Sequence, residues 1–141
     1  MDLEFEVLRR LKDAEDFVSG EKLAEELGVS RMAVWKAVER LKAKGYLIEA
    51  RTKRGYLLRG LKGDILSAYE IQHRLRTKII GRKVYCLKEV RSTMDEVRKL
   101  AGEEEGLTLI AERQTGGRGR LGRSWHSPPG GVYLSILLKP R

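Results

Sequence analysis

Apolar residues recur at helical spacing from the start of the chain. Leu3, Val7, Leu8 and Leu11 fall on one face, which predicts a first amphipathic helix. Ser19-Gly20 precedes a second, shorter pattern with Leu23, Ala24 and Leu27 on its apolar face. Gly28-Val29-Ser30 reads as a tight turn, with Ser30 able to cap a third helix by accepting from its first free N–H groups. Val34, Ala37, Val38 and Leu41 mark the buried face of that helix, and Gly45 stops it. The period then shortens. Tyr46 to Arg51 and Gly55 to Leu58 read as two strands joined by the turn Thr52-Lys53-Arg54-Gly55. Three helices followed by a basic hairpin predict a winged helix-turn-helix.

Glycines in Arg59-Gly60-Leu61-Lys62-Gly63 interrupt any periodicity and mark a boundary. Beyond it, Ser67 and Glu70 have capping-box spacing for a helix through about Arg76. Lys83 to Val90 alternates loosely as a strand would. Ser92 and Asp95 repeat the capping spacing for a helix through about Ala101, and Leu107 to Ala111 and Val132 to Leu138 are β-prone runs. We therefore expect an α+β chain: residues 1–60 a winged helix-turn-helix, 61–66 a linker, and 67–141 an α/β layer.

Charge sharpens the first domain. The chain has 141 residues and a net charge of +9, but residues 1–30 carry four Lys/Arg against nine Asp/Glu, and residues 31–59 carry nine against two. That segregation is the electrostatic footprint of a surface that meets a polyanion. In a helix-turn-helix the first residues of the second helix enter the major groove, here Ser30, Arg31 and Met32, with Trp35 and Lys36 one turn on. Arg31 could donate bidentately to guanine, whereas Lys36, Arg40, Lys53 and Arg54 would mainly neutralise phosphates. Trp35 is open between a packing residue and a base contact. No apolar run approaches the roughly 20 residues of a membrane span, and Met1 to Glu6 contain no basic-then-apolar leader. The lone Cys86 leaves no internal disulfide and no cysteine-based zinc cluster, so we expect a cytoplasmic protein with no membrane partner.

The densest chemistry lies in residues 111–131, where Arg113, Arg118, Arg120 and Arg123 alternate with glycines. Each glycine inside a helix would cost about 1 kcal/mol relative to alanine, so this is a loop. Backbone N–H groups and guanidinium forks along it can converge on carboxylate or phosphate oxygens, which predicts a flexible loop that closes on an anionic ligand. Gly117, Gly119 and Gly122 also satisfy a dinucleotide-type glycine pattern. That motif requires a helix opening on its last glycine, and Ser127-Pro128-Pro129-Gly130-Gly131 forbids one. A P-loop fails because no Gly-Lys-Ser/Thr follows. His73 and His126 have no partners at metal or triad spacing.

The block from Glu112 to Trp125, followed by Ser127-Pro128 and the strand beginning Val132-Tyr133-Leu134-Ser135, resembles the biotin-binding loop of biotin–protein ligases. Ser92-Thr93 is similar to the Ser-Thr pair of that family, and with the DNA-binding pattern the chain resembles its bifunctional ligase and repressor members. The resemblance implies a class II synthetase-like catalytic layer that condenses biotin with ATP, with Mg2+ accompanying the nucleotide and no protein-bound metal. Biotinyl-5′-AMP then yields its biotin to a lysine of a carboxyl-carrier protein. The resemblance further implies that Ser92, Thr93 and Gln114 contact the biotin ureido group, and that Gly117, Arg118 and Arg120 close on the biotin chain and adenylate. Arg120 is then the catalytic arginine beside carboxylate and phosphate, and Trp125 shields the ligand. Operator DNA, a carrier protein and a second copy in a homodimer are the partners to expect.

Two departures stand out. Met94 occupies the place of the family's usual asparagine, and the chain stops at Arg141, just after the Val132 to Leu138 run, where the family continues with a lysine-bearing segment and a small β-barrel. The expectation is therefore the N-terminal part of a longer ligase, inactive alone. Two other classes compete: a non-enzymatic winged-helix regulator with a ligand-sensing or dimerising domain, and a general nucleic-acid binder that uses the wing and the Arg-Gly loop.

Overall fold

A computed structural model describes residues 2–140; Met1 and Arg141, the outer ends of the two expected domains, lie outside the described residues. The chain divides into two compact units, Met1–Ile65 and Leu66–Arg141.

In the first unit, α1 (Leu3–Asp13), α2 (Gly20–Leu27) and α3 (Arg31–Ala43) form where the apolar spacing places them. Their starts are capped by side chains. Asp2 accepts from the amides of Glu4 and Phe5, Ser19 from Lys22, and Ser30 from Ala33. Gly28 ends α2 in the left-handed conformation, and its N–H donates back to Glu25. Val7, Leu8 and Leu11 are buried with Leu23, Ala24, Val34, Ala37, Val38 and Leu41, while Leu27 is only half-buried. Full burial of each Leu or Val contributes about 1.5–3 kcal/mol.

A hairpin follows, β1 (Tyr46–Arg51) against β2 (Gly55–Leu61), with a bulge between Leu47 and Ile48. Strand β2 runs through Arg59-Gly60-Leu61, residues expected to break the pattern. Tyr46 and Leu47 still offer ladder partners to Leu61 and Gly60, so the glycine is absorbed beside the bulge. The hairpin also acquires a third strand-like contact. Val18 and Tyr56 exchange backbone hydrogen bonds of 2.8 and 2.9 Å. A Cβ on Gly55 would meet the Val18 carbonyl oxygen at 2.0 Å, and its φ of +102° is itself unfavourable to other residues.

In the second unit, Ser67 caps α4 (Ala68–Arg74), which stops two residues short of Arg76. Strands β3 (Val84–Val90), β4 (Thr108–Gln114) and β5 (Tyr133–Ile136) form one sheet in that order. β3 and β4 are parallel, and α5 (Thr93–Lys99) supplies the crossover such a pair needs; β5 returns antiparallel to β4. Val84, Val90, Val97, Leu107, Leu109 and Ala111 are buried here. β4 extends three residues past Ala111, so Glu112, Arg113 and Gln114 belong to a strand rather than to a loop. No described helix is long and apolar enough to cross a membrane.

Candidate functional site

Parallel pairing of β3 and β4 brings both carboxyl ends, Val90 and Gln114, to one edge of the sheet. Ligands of open α/β sheets bind at such an edge, because the chain leaves it in loops and helix starts with spare backbone and side-chain donors. Here Ser92 and Thr93 open α5 after β3, and the Gly-Arg loop opens after β4. An open cavity of about 280 Å³ lies between them, lined by Ser92, Thr93, Met94, Gln114, Arg118, Trp125, Val132, Tyr133, Leu134 and Ser135. That is the small end of ligand-site volumes.

The loop expected to close on an anionic ligand has backbone hydrogen bonds of its own. It folds back as a hairpin, with Gln114 N–H donating to the Ser127 carbonyl, Trp125 N–H to Gly117 and Gly119 N–H to Arg123. Its crest is a 3₁₀ turn, Arg120–Gly122, with Leu121 and Gly122 both left-handed. The sequence pattern concealed this because alternating glycines and arginines carry no apolar period, and cross-hairpin backbone bonds need none.

Side chains tie the hairpin base to the sheet. Gln114 Oε1 accepts from the Thr93 amide at 2.8 Å, and its Nε2 donates to Ser127 Oγ at 3.1 Å. Ser127 Oγ donates in turn to the Trp125 carbonyl at 3.1 Å. Ser135 Oγ donates to Thr93 Oγ1 at 2.8 Å, and the Tyr133 hydroxyl donates to the Pro128 carbonyl at 2.7 Å. Ser127, Tyr133 and Ser135 escaped notice as separate site residues. The signal available for the last two was their i, i+2 spacing, which puts both on one face of β5.

Of the residues expected to meet a ligand, Ser92, Thr93, Gln114, Arg118 and Trp125 line the cavity. Ser92 sits at the N-cap position of α5 but makes no side-chain capping bond, so its buried hydroxyl is not explained as a cap. Met94 contributes a thioether where an amide was expected, and the wall there is apolar. Gly117 is buried under the crest: a Cβ there would meet Ser127 Oγ and the Trp125 carbonyl oxygen, each at 2.6 Å. Arg118 is the only charged side chain on the lining, and Asp95 holds its guanidinium in an ion pair. Arg120 is exposed on the crest and does not line the cavity.

On the first unit, α3 presents Arg31, Met32, Trp35 and Lys36 on one exposed face. Trp35 is 49% exposed and Met32 60%, so both lie at the surface rather than in the core. Arg31, Lys36 and Lys53 make no ion pair among the described residues. Other cations are engaged: Arg40 lies 3.7 Å from Glu4, and Arg54 donates to both oxygens of Asp16 while resting over the Phe17 ring. Glu49 is held below the usual carboxylate range by hydrogen bonds from Arg59 and Arg51. On α3 and the turn of the hairpin, the cations without an ion pair among the described residues are Arg31, Lys36 and Lys53.

Comparison with known proteins bears on both units. A model of the HTH domain matches residues 4–57, and one of the biotin/lipoate A/B protein ligase family matches residues 84–141. The chain thus carries an HTH-domain match followed by a biotin/lipoate A/B protein ligase match. Its relatives include the bifunctional ligase/repressor BirA of Bacillus subtilis (strain 168), 41% identical over 128 residues. BirA of Bacillus spizizenii is 40% identical over 128 residues. Each alignment covers 89% of this chain but 39% of the relative, so the chain spans about two-fifths of their length. A solved biotin protein ligase from Aquifex aeolicus in complex with biotin and ATP is 47% identical, covering 40% of this chain and 24% of that one, with a TM-score of 0.38.

Proposed function

We propose that this chain contributes the operator-binding domain, residues 1–60, and the biotin-binding part, residues 67–141, of an ATP-dependent biotin–protein ligase that also represses transcription, with residues 61–66 as the linker. The observation that carries the proposal is the meeting of Ser92, Thr93, Gln114, Arg118 and Trp125 around one cavity at the carboxyl ends of β3 and β4. A urea-like ureido group needs a donor to its carbonyl oxygen and acceptors for its two N–H groups. Thr93 accepts from Ser135 and keeps its own hydroxyl hydrogen for a ligand carbonyl, and Gln114 keeps one N–H and one lone pair beyond its present bonds. Arg118 supplies the cation for a carboxylate, and the indole of Trp125 covers the apolar ring system.

Arg120 takes its catalytic role when the crest closes over the ligand, bringing a guanidinium to the reacting carboxylate and phosphate. ATP would bring Mg2+ with it; no group of three or more His, Cys, Asp or Glu suited to a metal ion occurs among the described residues. No lysine lines the cavity, so we expect the 141-residue chain to bind biotin without completing ligation to a carrier protein. The parent ligase's partners are then operator DNA, the carrier and a second copy, in the cytoplasm.

The test uses a Trp35→Phe background, in which Trp125 is the remaining tryptophan. Biotin should change its fluorescence saturably, and Thr93→Val should weaken the titration about tenfold, the worth of one good hydrogen bond. An unresponsive Trp125 in a folded chain would refute the cavity's assignment to biotin.

A further inference from the structure

The loop carries Arg118, Arg120 and Arg123, yet these three are not equivalent. Among the described residues Arg120 and Arg123 make no ion pair, whereas Arg118 Nη2 donates to Asp95 Oδ1 in the first turn of α5. Arg118 is also the only cation on the cavity lining. The one positive charge offered to a ligand is therefore already matched by a carboxylate. Both partners are partly shielded, with side-chain exposures of 44% for Arg118 and 29% for Asp95. An incoming anion must share the guanidinium with Asp95, placing two carboxylates side by side, or take its place. Like charges at that separation oppose each other, and partial burial reduces the screening that would relieve them.

We infer that Asp95 is a positioning residue with two coupled effects: it parks Arg118 over the cavity while no ligand is bound, and it competes with a ligand's anionic group for that same guanidinium. The identity of the anion, a biotin carboxylate, rests on the function proposed above; the competition rests on the ion pair alone. The arrangement makes affinity depend on ligand charge. A neutral ligand of the same shape leaves the Arg118–Asp95 pair intact and is indifferent to it.

The experiment compares the full chain with Asp95→Asn, which keeps an acceptor for Arg118 but removes the competing charge. Biotin should bind the variant about 2- to 5-fold more tightly, the range a partly exposed ion pair supplies, while biotinamide should bind both chains equally. A purely structural role for Asp95 would shift both ligands together, and that result would overturn the inference. In the ligand-free chain, hydrogen exchange at the Gly119 amide, which donates to Arg123 across the crest, should quicken in the variant; unchanged exchange would also overturn it. If neither chain responds to biotin or biotinamide, the biotin assignment fails. Inorganic pyrophosphate then serves as the anion, and an affinity no higher in Asp95→Asn than in the parent defeats the competition as well.

Discussion

Two glycines of one loop should respond oppositely to the same substitution. A Cβ added at Gly117 would lie 2.6 Å from Ser127 Oγ, 2.6 Å from the Trp125 carbonyl oxygen and 3.1 Å from Gln114 Nε2. One of these atoms is backbone, and the other two belong to the bonded chain Thr93–Gln114–Ser127–Trp125. The methyl can enter only by breaking at least one of those hydrogen bonds, so overpacking and the lost bond together should cost about 2–4 kcal/mol. At Gly119 the nearest atom to a new Cβ is the Arg123 carbonyl oxygen at 3.5 Å, ordinary contact, and φ is −95°. Gly119→Ala should therefore change stability by less than about 1 kcal/mol, with a stabilising contribution from the restricted unfolded chain. Hydrogen exchange at the Gln114 and Trp125 amides reads the hairpin base directly, since both donate across it. A 3 kcal/mol loss corresponds to roughly a hundredfold faster exchange when opening is local. Equal protection in Gly117→Ala and Gly119→Ala would refute the reasoning, and would mean that Gly117 is glycine for the ligand's sake alone.

Other consequences are simpler to measure. Lys53→Ala should weaken duplex DNA binding across sequences and lower the salt slope by about one, as expected for a single lost phosphate contact, with electrophoretic or anisotropy titrations at several salt concentrations as the check. Because hydrogen bonds from Arg59 and Arg51 hold the folded-state pKa of Glu49 below its ordinary value, its contribution to stability is present above the ordinary carboxylate range and is lost as pH falls through the lower folded value. Glu49→Gln should flatten that part of the acid unfolding curve of the first unit. Burial pushes the Cys86 thiol up to about 11, so alkylation at pH 8 should run about a hundredfold slower than for a free thiol and rise to the free rate in denaturant.

Legibility in the sequence followed the physics of each feature. The three helices of the first unit were readable because Val7, Leu8, Leu11, Val34, Val38 and Leu41 repeat at helical period and Ser19 and Ser30 are strong caps. The Gly-Arg block and Ser92-Thr93 stand out in the sequence as candidate chemistry, and the fold brings Ser92, Thr93 and Arg118 to one cavity. What a linear pattern cannot carry is pairing between distant residues. Only the fold decided that β3 and β4 lie parallel, which is what sets Ser92 beside Gln114. Only the fold decided that Val18 would join the wing, that Gly117 would sit against Ser127, and that Asp95 would claim Arg118. Local periodicity and capping act over a few residues and are written along the chain; hydrogen bonds and ion pairs between residues twenty or more apart depend on how the chain has been brought back on itself.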